Sequence, residues 1–122
     1  MTEDATEGGR VSGEGGGAGE DLLGPDELGV ARLGERATLV QFSSAFCQPC
    51  RATRRTLAEV AEMVPGVTHV EIDAEGRLAL VRALGIVRTP TVLVLDRDGR
   101  IVRRAAGQPR RADVIAALGH AV

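Results

Sequence analysis

The sequence predicts an α/β fold in which helices cover both faces of one mixed central sheet. Two uninterrupted apolar runs of β-forming residues, at 38–42 and 91–95, are typical of fully buried strands. A helical segment with one apolar face lies between them, and turn residues at 96–99 predict a closing β-hairpin followed by a last helix. A chain of 122 residues is long enough for one domain and too short for two ordinary ones.

The N-terminal half of this domain contains a short helix, a strand and a long helix. The short helix is predicted over 26–33, with Asp26 as its cap and Gly34 at its end. After the strand, the long helix runs from residue 47 or 48 to 64 and is stopped by Pro65-Gly66. Its apolar residues recur at the spacing of one helix face: Leu57, Val60, Ala61 and Val64.

The C-terminal half adds alternating strands and helices. A strand is predicted at 69–72, a helix at 75–84 closed by Gly85, a hairpin strand at 100–105 and a last helix at 110–118. The β-α-β order implies a parallel portion of the sheet with right-handed crossovers, and the hairpin adds an antiparallel edge. The last helix is expected to bury three residues: Ala112, Ile115 and Leu118.

The chain divides into an acidic leader at 1–24 and a folded domain at 25–122. The first 20 residues are mostly glycine and acidic residues, so they cannot bury enough apolar surface to offset the entropy of ordering, and we expect disorder. Residues 1–29 hold eight acidic residues against the single Arg10, whereas the rest of the chain carries an excess of arginine. The leader is therefore acidic and the domain basic.

Composition argues against nucleic acid and membrane functions. No basic run exceeds two residues, and two Phe with no Tyr or Trp leave few rings to stack on bases. No apolar run approaches 18 residues, and the acidic start of the chain is unlike a secretory signal. We therefore expect a cytoplasmic monomer. The extracytoplasmic domain of a tethered protein, without its anchor, would have the same sequence, so that alternative stays open.

Cys47 and Cys50 are the only cysteines, and their spacing restricts what they can do. A disulfide across two intervening residues removes little loop entropy from the unfolded chain, so a stabilising clip is a poor interpretation. A structural zinc needs about four ligands, and the chain adds only His69, on a strand, and His120, near the C-terminus. No metal site is predicted, and redox chemistry remains.

The position of the two cysteines fits disulfide exchange. Cys47 lies where a loop gives way to a helix, whose free N–H groups and dipole stabilise a thiolate. Cys50 lies one turn further along, in reach but deeper. Cys47 can then attack a substrate disulfide, and Cys50 can release the reduced substrate by attacking Cys47. Pro49 is tolerated in the first helical turn, where its missing N–H has no consequence.

At this point the chain resembles the thioredoxin family, over about residues 28–122. Residues 46–50, Phe-Cys-Gln-Pro-Cys after an apolar strand, are similar to the Trp-Cys-Gly-Pro-Cys site of that family. Residues 85–91 resemble the segment that holds the family's cis-proline. Residues 98–100 and 106–107 match its hairpin and the glycine loop beside the site.

The resemblance implies a thioredoxin-like fold, a protein disulfide reductase and a substrate groove. Pro90 would be cis and packed against the dithiol, Thr89 would offer backbone hydrogen bonds to a substrate strand, and Gly107 would let that strand approach. The groove would also include three residues around the cysteines: Phe46, Gln48 and Pro49. No cofactor is implied beyond the redox-active disulfide. Electrons would come from a reductase or another dithiol protein, and the partners would be protein disulfides.

Two positions depart from the family in a way that bears on mechanism. Gln41 matches a buried Asp that helps to deprotonate the second cysteine, and His69 matches the Lys that accompanies it. Glutamine cannot take that proton, so either water, another carboxylate or bulk solvent takes it, or the second step is slow near neutral pH. His69 is either a replacement shuttle or an ordinary strand histidine. Because both the Asp and the Lys of the family are replaced here, neither is left as an unpaired buried charge.

Four arginines lie near the dithiol in the sequence: Arg51, Arg54, Arg55 and Arg88. They form either a basic rim that favours acidic partners or a solvated surface. The Gln41 substitution also keeps a second function open, a non-catalytic redox sensor or interaction module whose dithiol switches partner binding. The principal expectation is a thiol–disulfide oxidoreductase. Turnover of a protein disulfide would distinguish that enzyme from the redox sensor.

Overall fold

The computed structural model describes residues 22–122 of the chain. Residues 1–21, which hold most of the predicted leader, lie outside the described part. The elements follow the order that the sequence predicts. They are α1 (Pro25–Leu28), β1 (Ala37–Ser43), α2 (Gln48–Met63), β2 (Val67–Asp73), a 3₁₀ turn (Ala74–Gly76), α3 (Leu78–Leu84), β3 (Thr91–Asp96), β4 (Ile101–Ala106) and α4 (Arg111–Leu118).

The four strands form one mixed sheet in the order β2-β1-β3-β4. β1 is parallel to β2 and antiparallel to β3, and β3 pairs with β4 as the predicted antiparallel hairpin. Among the described strands, only β1 and β2 pair in parallel, as a β1-α2-β2 unit. The connection through the seven-residue α3 returns to the end of the sheet that it left, so β3 runs opposite to β2.

Helices cover both faces of the sheet, as predicted. On one face, α1 and α3 pack against a cluster of strand residues that includes Phe42, Ile72 and Leu93. On the other face, α2 and α4 pack against a second cluster that includes Leu39 and Val94. All seven residues of β1 are buried, which explains its uninterrupted apolar run and places it at the centre of the domain.

α1 is shorter than the sequence predicts. It ends at Leu28 because Gly29 adopts the left-handed conformation, with φ 75°, and its N–H closes the last turn. Gly24 occupies the position before the helix, so Asp26 lies inside the first turn and is not the cap. Both Gly29 and Gly34 could end this helix, and the earlier glycine does so.

The two C-terminal helices also differ in detail from the prediction. The segment predicted as one helix over 75–84 is divided into the 3₁₀ turn and α3, with Arg77 between them. In α4 the expectation that Ala112 and Ile115 are buried is wrong, because both are exposed. The residues that α4 packs against the core are Val114 and Leu118, one turn apart.

The packed domain extends beyond the predicted boundary at residue 25. Leu22 forms an isolated antiparallel bridge with Arg100, and the N–H of Leu23 donates to the carbonyl of Gly99 at 2.8 Å. Leu23 is 4% exposed and belongs to the core beneath α1. A side chain at Gly99 would place Cβ 2.1 Å from the Leu23 carbonyl oxygen, so this contact requires glycine. Within residues 22–122 no helix is long and apolar enough to cross a membrane.

Leu23→Ala should therefore destabilise the domain although Leu23 lies before the first helix. Truncating a buried leucine leaves a cavity, and we expect the free energy of unfolding to fall by about 2–4 kcal/mol. Leu22→Ala is the matched control, since Leu22 is 45% exposed, and should change stability by less than about 1 kcal/mol. Urea unfolding followed by far-UV circular dichroism measures both. Equal effects of the two substitutions would contradict the packing of Leu23 into the core.

Candidate active site

The two cysteines lie at the N-terminus of α2, directly beyond the end of the central strand β1. They form a disulfide with a Cα–Cα distance of 5.2 Å. Cys47 is the residue before the first helical turn, and its sulfur accepts a hydrogen bond from the Cys50 N–H at 3.2 Å. Pro49 lies in the first turn, as predicted. The helix therefore directs its free N–H groups at the sulfur of Cys47.

The two sulfurs differ in accessibility. Cys47 is partly exposed, whereas Cys50 is 1% exposed and forms part of the buried face of α2. A protein substrate can therefore reach Cys47 but not Cys50. The electrostatics of the helix N-terminus favour a thiolate on the same, accessible residue.

Phe46 precedes Cys47 in an unusual conformation. Its φ is 60°, in the left-handed region that bulky residues avoid, and its side chain is 98% exposed. Such a conformation costs about 1–3 kcal/mol, and an exposed aromatic ring regains nothing from packing. Unfavourable geometry of this kind clusters at functional sites. The loop thus presents an apolar ring to solvent beside the accessible cysteine.

Three loops meet at this end of the sheet. The Thr89–Pro90 peptide bond is cis, as the resemblance implied, and Pro90 is buried. The hydroxyls of Ser44 and Thr89 are 2.7 Å apart, which joins the loop before Cys47 to the proline loop. The N–H of Gly107 donates to the Pro90 carbonyl at 2.8 Å and brings in the third loop. The residues predicted to form the groove therefore lie in three loops at the same end of the sheet.

The side chain of Gln41 lies fully buried beneath the dithiol. Its amide nitrogen donates to the carbonyl of Cys50 at 2.8 Å and to the hydroxyl of Ser43 at 2.9 Å. Its amide oxygen is 3.1 Å from Nε2 of His69. Because that oxygen can only accept, His69 must donate, and its Nε2 carries the proton. The two candidate tuning residues, Gln41 and His69, are therefore in direct contact.

A chain of hydrogen bonds continues from Gln41 to the surface. The hydroxyl of Ser43, having accepted from Gln41, donates to Oε2 of Glu71 at 2.8 Å. Arg54 binds the same carboxylate with two nitrogens, at 2.6 and 2.7 Å. We call this chain the Gln41 network: His69, Gln41, Ser43, Glu71 and Arg54. Every contact in it has one donor and one acceptor, so its direction is fixed.

The charges of the network respond to its surroundings. Burial lowers the pKa of His69 from its usual value near 6.5, which the carboxylate of Glu71 partly opposes, so the ring is neutral at pH 7. The pKa of Glu71 is lowered chiefly by its hydrogen bonds from Arg54, with a smaller effect from Ser43. The interior part of the network is therefore uncharged, and its one ion pair lies at the surface.

Sequence reasoning missed Ser43, Glu71 and Arg54 as members of this network. The available signal was strand alternation, because residues two apart on a strand point to the same face. Ser43 follows Gln41 by two residues, and Glu71 follows His69 by two. The parallel register of β1 and β2 places Gln41 beside Glu71. Arg54 is engaged by Glu71, so it is not a free member of the predicted basic rim. Among residues 22–122 no three His, Cys, Asp or Glu side chains group as metal ligands would.

Gln41→Leu should destabilise the domain. The substitution keeps the volume but leaves the carbonyl of Cys50 and the donor of His69 without partners, which costs about 2–4 kcal/mol of unfolding free energy. Thr53→Val is the control, because the buried Thr53 hydroxyl has no hydrogen-bond partner within residues 22–122 and its removal should be nearly neutral. Denaturant titration measures both variants. A Gln41→Leu protein as stable as wild type would contradict the structural role of the network.

His69 should make stability depend on pH. A histidine whose pKa is lowered by folding binds its proton more readily in the unfolded chain, so stability falls as pH drops below about 6.5. The loss is at most about 1.4 kcal/mol per pH unit for one proton. His69→Gln keeps a donor for Gln41 and should flatten the dependence between pH 7.5 and 5.5. His120→Gln, at an exposed histidine, should not. Identical pH profiles for wild type and His69→Gln would contradict the burial effect.

Comparison with known proteins places the chain in a family. Residues 25–121 match the family described as "Thioredoxin-like domain". The chain is 27% identical to a thioredoxin of Mycolicibacterium smegmatis over 106 residues, which cover 84% of this chain and 90% of that protein. It is 30% identical to a thioredoxin of Mycobacterium tuberculosis over 88 residues, which cover 71% and 75%.

A solved structure agrees with these relatives. The crystal structure of a chloroplastic thioredoxin z is 29% identical and superposes with a TM-score of 0.65, over 81% of this chain and 90% of that one. The cis-proline, the helix N-terminus and the dithiol described above lie within the matched residues. The chain therefore belongs to the thioredoxin-like domain family.

Proposed function

We propose that this domain reduces disulfide bonds in proteins, with Cys47 as the attacking residue and Cys50 as the resolving one. The observation that carries the proposal is the asymmetry of the pair. Cys47 is partly exposed and lies at the helix N-terminus, where the free N–H groups would stabilise a thiolate, whereas Cys50 is buried one turn behind it. This arrangement exposes one nucleophile to substrate and reserves the other for the second step.

The first step forms a mixed disulfide. The Cys47 thiolate attacks one sulfur of the substrate disulfide, a new S–S bond forms between Cys47 and the substrate, and the other substrate sulfur leaves as a thiolate. In the second step, the Cys50 thiolate attacks the sulfur of Cys47. The second substrate sulfur leaves, and the Cys47–Cys50 disulfide forms. Two electrons have passed to the substrate, and a reductase or another dithiol protein would restore the dithiol.

The loops around the cysteines supply a binding edge for an extended substrate segment. Thr89 makes no backbone–backbone hydrogen bond within residues 22–122, so its N–H and carbonyl are available to a substrate strand. Gly107, with φ 92°, has space where a side chain would be, since Arg88 is the nearest group at 3.6 Å. Phe46, Gln48 and Pro49 are exposed and would form the opposite side of the groove.

The resolving step proceeds here without a buried carboxylate. Gln41 cannot accept the proton of Cys50, and it holds the Cys50 carbonyl instead. We therefore assign Gln41 a positioning role, and the thiol proton passes to solvent when the mixed disulfide opens the site. The pH dependence of turnover would then lack the ionisation of a buried acid.

Turnover of insulin by the wild-type domain, with dithiothreitol as electron donor, tests the proposal together with two variants. Cys47→Ser and Cys50→Ser should each reduce turnover to below about 1% of wild type, because exchange through the pair needs both thiols. Only Cys50→Ser should accumulate a mixed disulfide with substrate, since it retains the attacking thiol. The trapped species is detected by non-reducing mass spectrometry.

Two results would count against the assignment. If Cys47→Ser traps substrate and Cys50→Ser does not, the roles of the two cysteines are reversed. If the wild-type pair is oxidised and reduced reversibly but no protein disulfide is turned over, the domain is a redox sensor, the second function that the sequence left open.

A further inference from the structure

We propose that the domain prefers substrates that carry Asp or Glu beside the disulfide, and that Arg51 and Arg88 recognise those carboxylates. We call these two residues the basic pair. The inference rests on the proposed function, because it concerns the substrate segment that would bind at the groove. It adds a chemical property of that segment, its charge, which the family relationship does not specify.

Arg88 stands directly at the proposed groove. It precedes Thr89 and the cis-proline, and it is exposed. Its guanidinium lies beside Gly107, 3.6 Å from the point where a Cβ at that position would be. A substrate strand that runs along Thr89 and past Gly107 would therefore pass within contact of this cation.

Arg51 is the second cation, and it directly follows Cys50 in the sequence. It follows Cys50 in the first turns of α2 and is exposed, whereas Cys50 faces inward. One member of the basic pair therefore lies in the loop of the cis-proline, and the other lies at the N-terminal end of α2.

Three arginines of the domain already have acidic partners, whereas Arg55, on the same helix as Arg51, forms no ion pair within residues 22–122. Ion pairs among residues 22–122 engage Arg54 with Glu71, Arg110 with Asp113 and Arg111 with Glu59. Within the same part of the chain, neither member of the basic pair forms an ion pair. An arginine without an internal carboxylate can bind one from a partner without breaking an existing contact.

The loops that frame the site contain no acidic residue to cancel this charge. The charged residues within 44–51, 86–90 and 106–109 are Arg51 and Arg88, and none of these loops contains Asp or Glu. Acidic residues at this end of the sheet lie on β2 and directly after it. The carboxylate of Glu71 is bound by Arg54 and Ser43, and that of Asp73 caps the N–H of Glu75. The loops of the groove therefore carry positive charge only, which attracts acidic segments and repels basic ones.

Three model substrates test the preference. They are peptides with one intramolecular disulfide that differ only at the two residues beside the reactive cysteine, which are Glu, Gln or Lys. For the wild-type domain we expect kcat/KM to be about 5–10-fold higher for the Glu peptide than for the Gln peptide at low salt. The Lys peptide should be the poorest substrate. The preference should shrink towards unity at about 0.5 M salt, because exposed charges are screened.

Charge reversal assigns the preference to the basic pair. Arg88→Glu and Arg51→Glu should each lower the Glu-to-Lys ratio of kcat/KM by about 3–10-fold, and the double variant should prefer the Lys peptide. Arg97→Glu is the matched control. It makes the same change of net charge at an exposed arginine in the β3–β4 turn, at the opposite end of the sheet, and should leave the ratio unchanged.

The outcomes separate this inference from the proposed function. If the wild-type domain reduces the three peptides at equal rates, the charge preference is wrong and the reductase activity stands. If Arg97→Glu shifts the ratio as much as Arg88→Glu does, net charge and not the basic pair is responsible, and the inference is wrong. If none of the peptides and no insulin is reduced, the proposed function fails first.

Discussion

The buried amide of Gln41 is the contact on which the geometry of the site depends. β1 is buried on both faces, so any polar group on it must find partners inside the protein. Gln41 uses its oxygen and both hydrogens, and one of those bonds holds the backbone of Cys50. The first turn of α2, and with it the distance between the two cysteines and the sheet, is thereby fixed to the most buried strand of the domain.

The Gln41 network keeps its charged groups at the surface and only neutral groups in the interior, which avoids the cost of desolvating a charge. A carboxylate and an ammonium beneath the dithiol would both have to be desolvated, whereas a glutamine and a neutral histidine exchange one hydrogen bond at little electrostatic cost. The charged members, Glu71 and Arg54, meet at the surface, where the loss of hydration is small. Because Gln41 cannot accept a proton, the proposed mechanism makes proton transfer from Cys50 depend on access of water.

The element order and the place of the dithiol could be predicted because their signals are local. An apolar run, a 3.6-residue period and Pro49 after Cys47 each specify the structure around themselves. The ends of α1 and the buried face of α4 could not. Either Gly29 or Gly34 could end α1, and the sequence does not show which one does. The apolar residues of α4 lie on all its sides, so its buried residues, Val114 and Leu118, are determined by packing against α2. The Gln41 network could not be predicted either, because its members are ordinary strand and helix residues until the register of β1 and β2 brings them together.

In the proposed groove, the exposed groups around Cys47 would contribute to substrate recognition in different ways. Phe46 offers an apolar surface to any extended segment, and the backbone of Thr89 can pair with any sequence, so neither contact distinguishes one substrate from another. Charge does distinguish substrates, because a like charge at the same place is repelled as strongly as an opposite one is attracted. Within residues 22–122 the arginines of the basic pair form no ion pair and the backbone of Thr89 no backbone hydrogen bond. The proposed site would therefore tolerate many substrate shapes and select for substrate charge. The proposed selectivity would act on the rate of encounter, before any sulfur is exchanged.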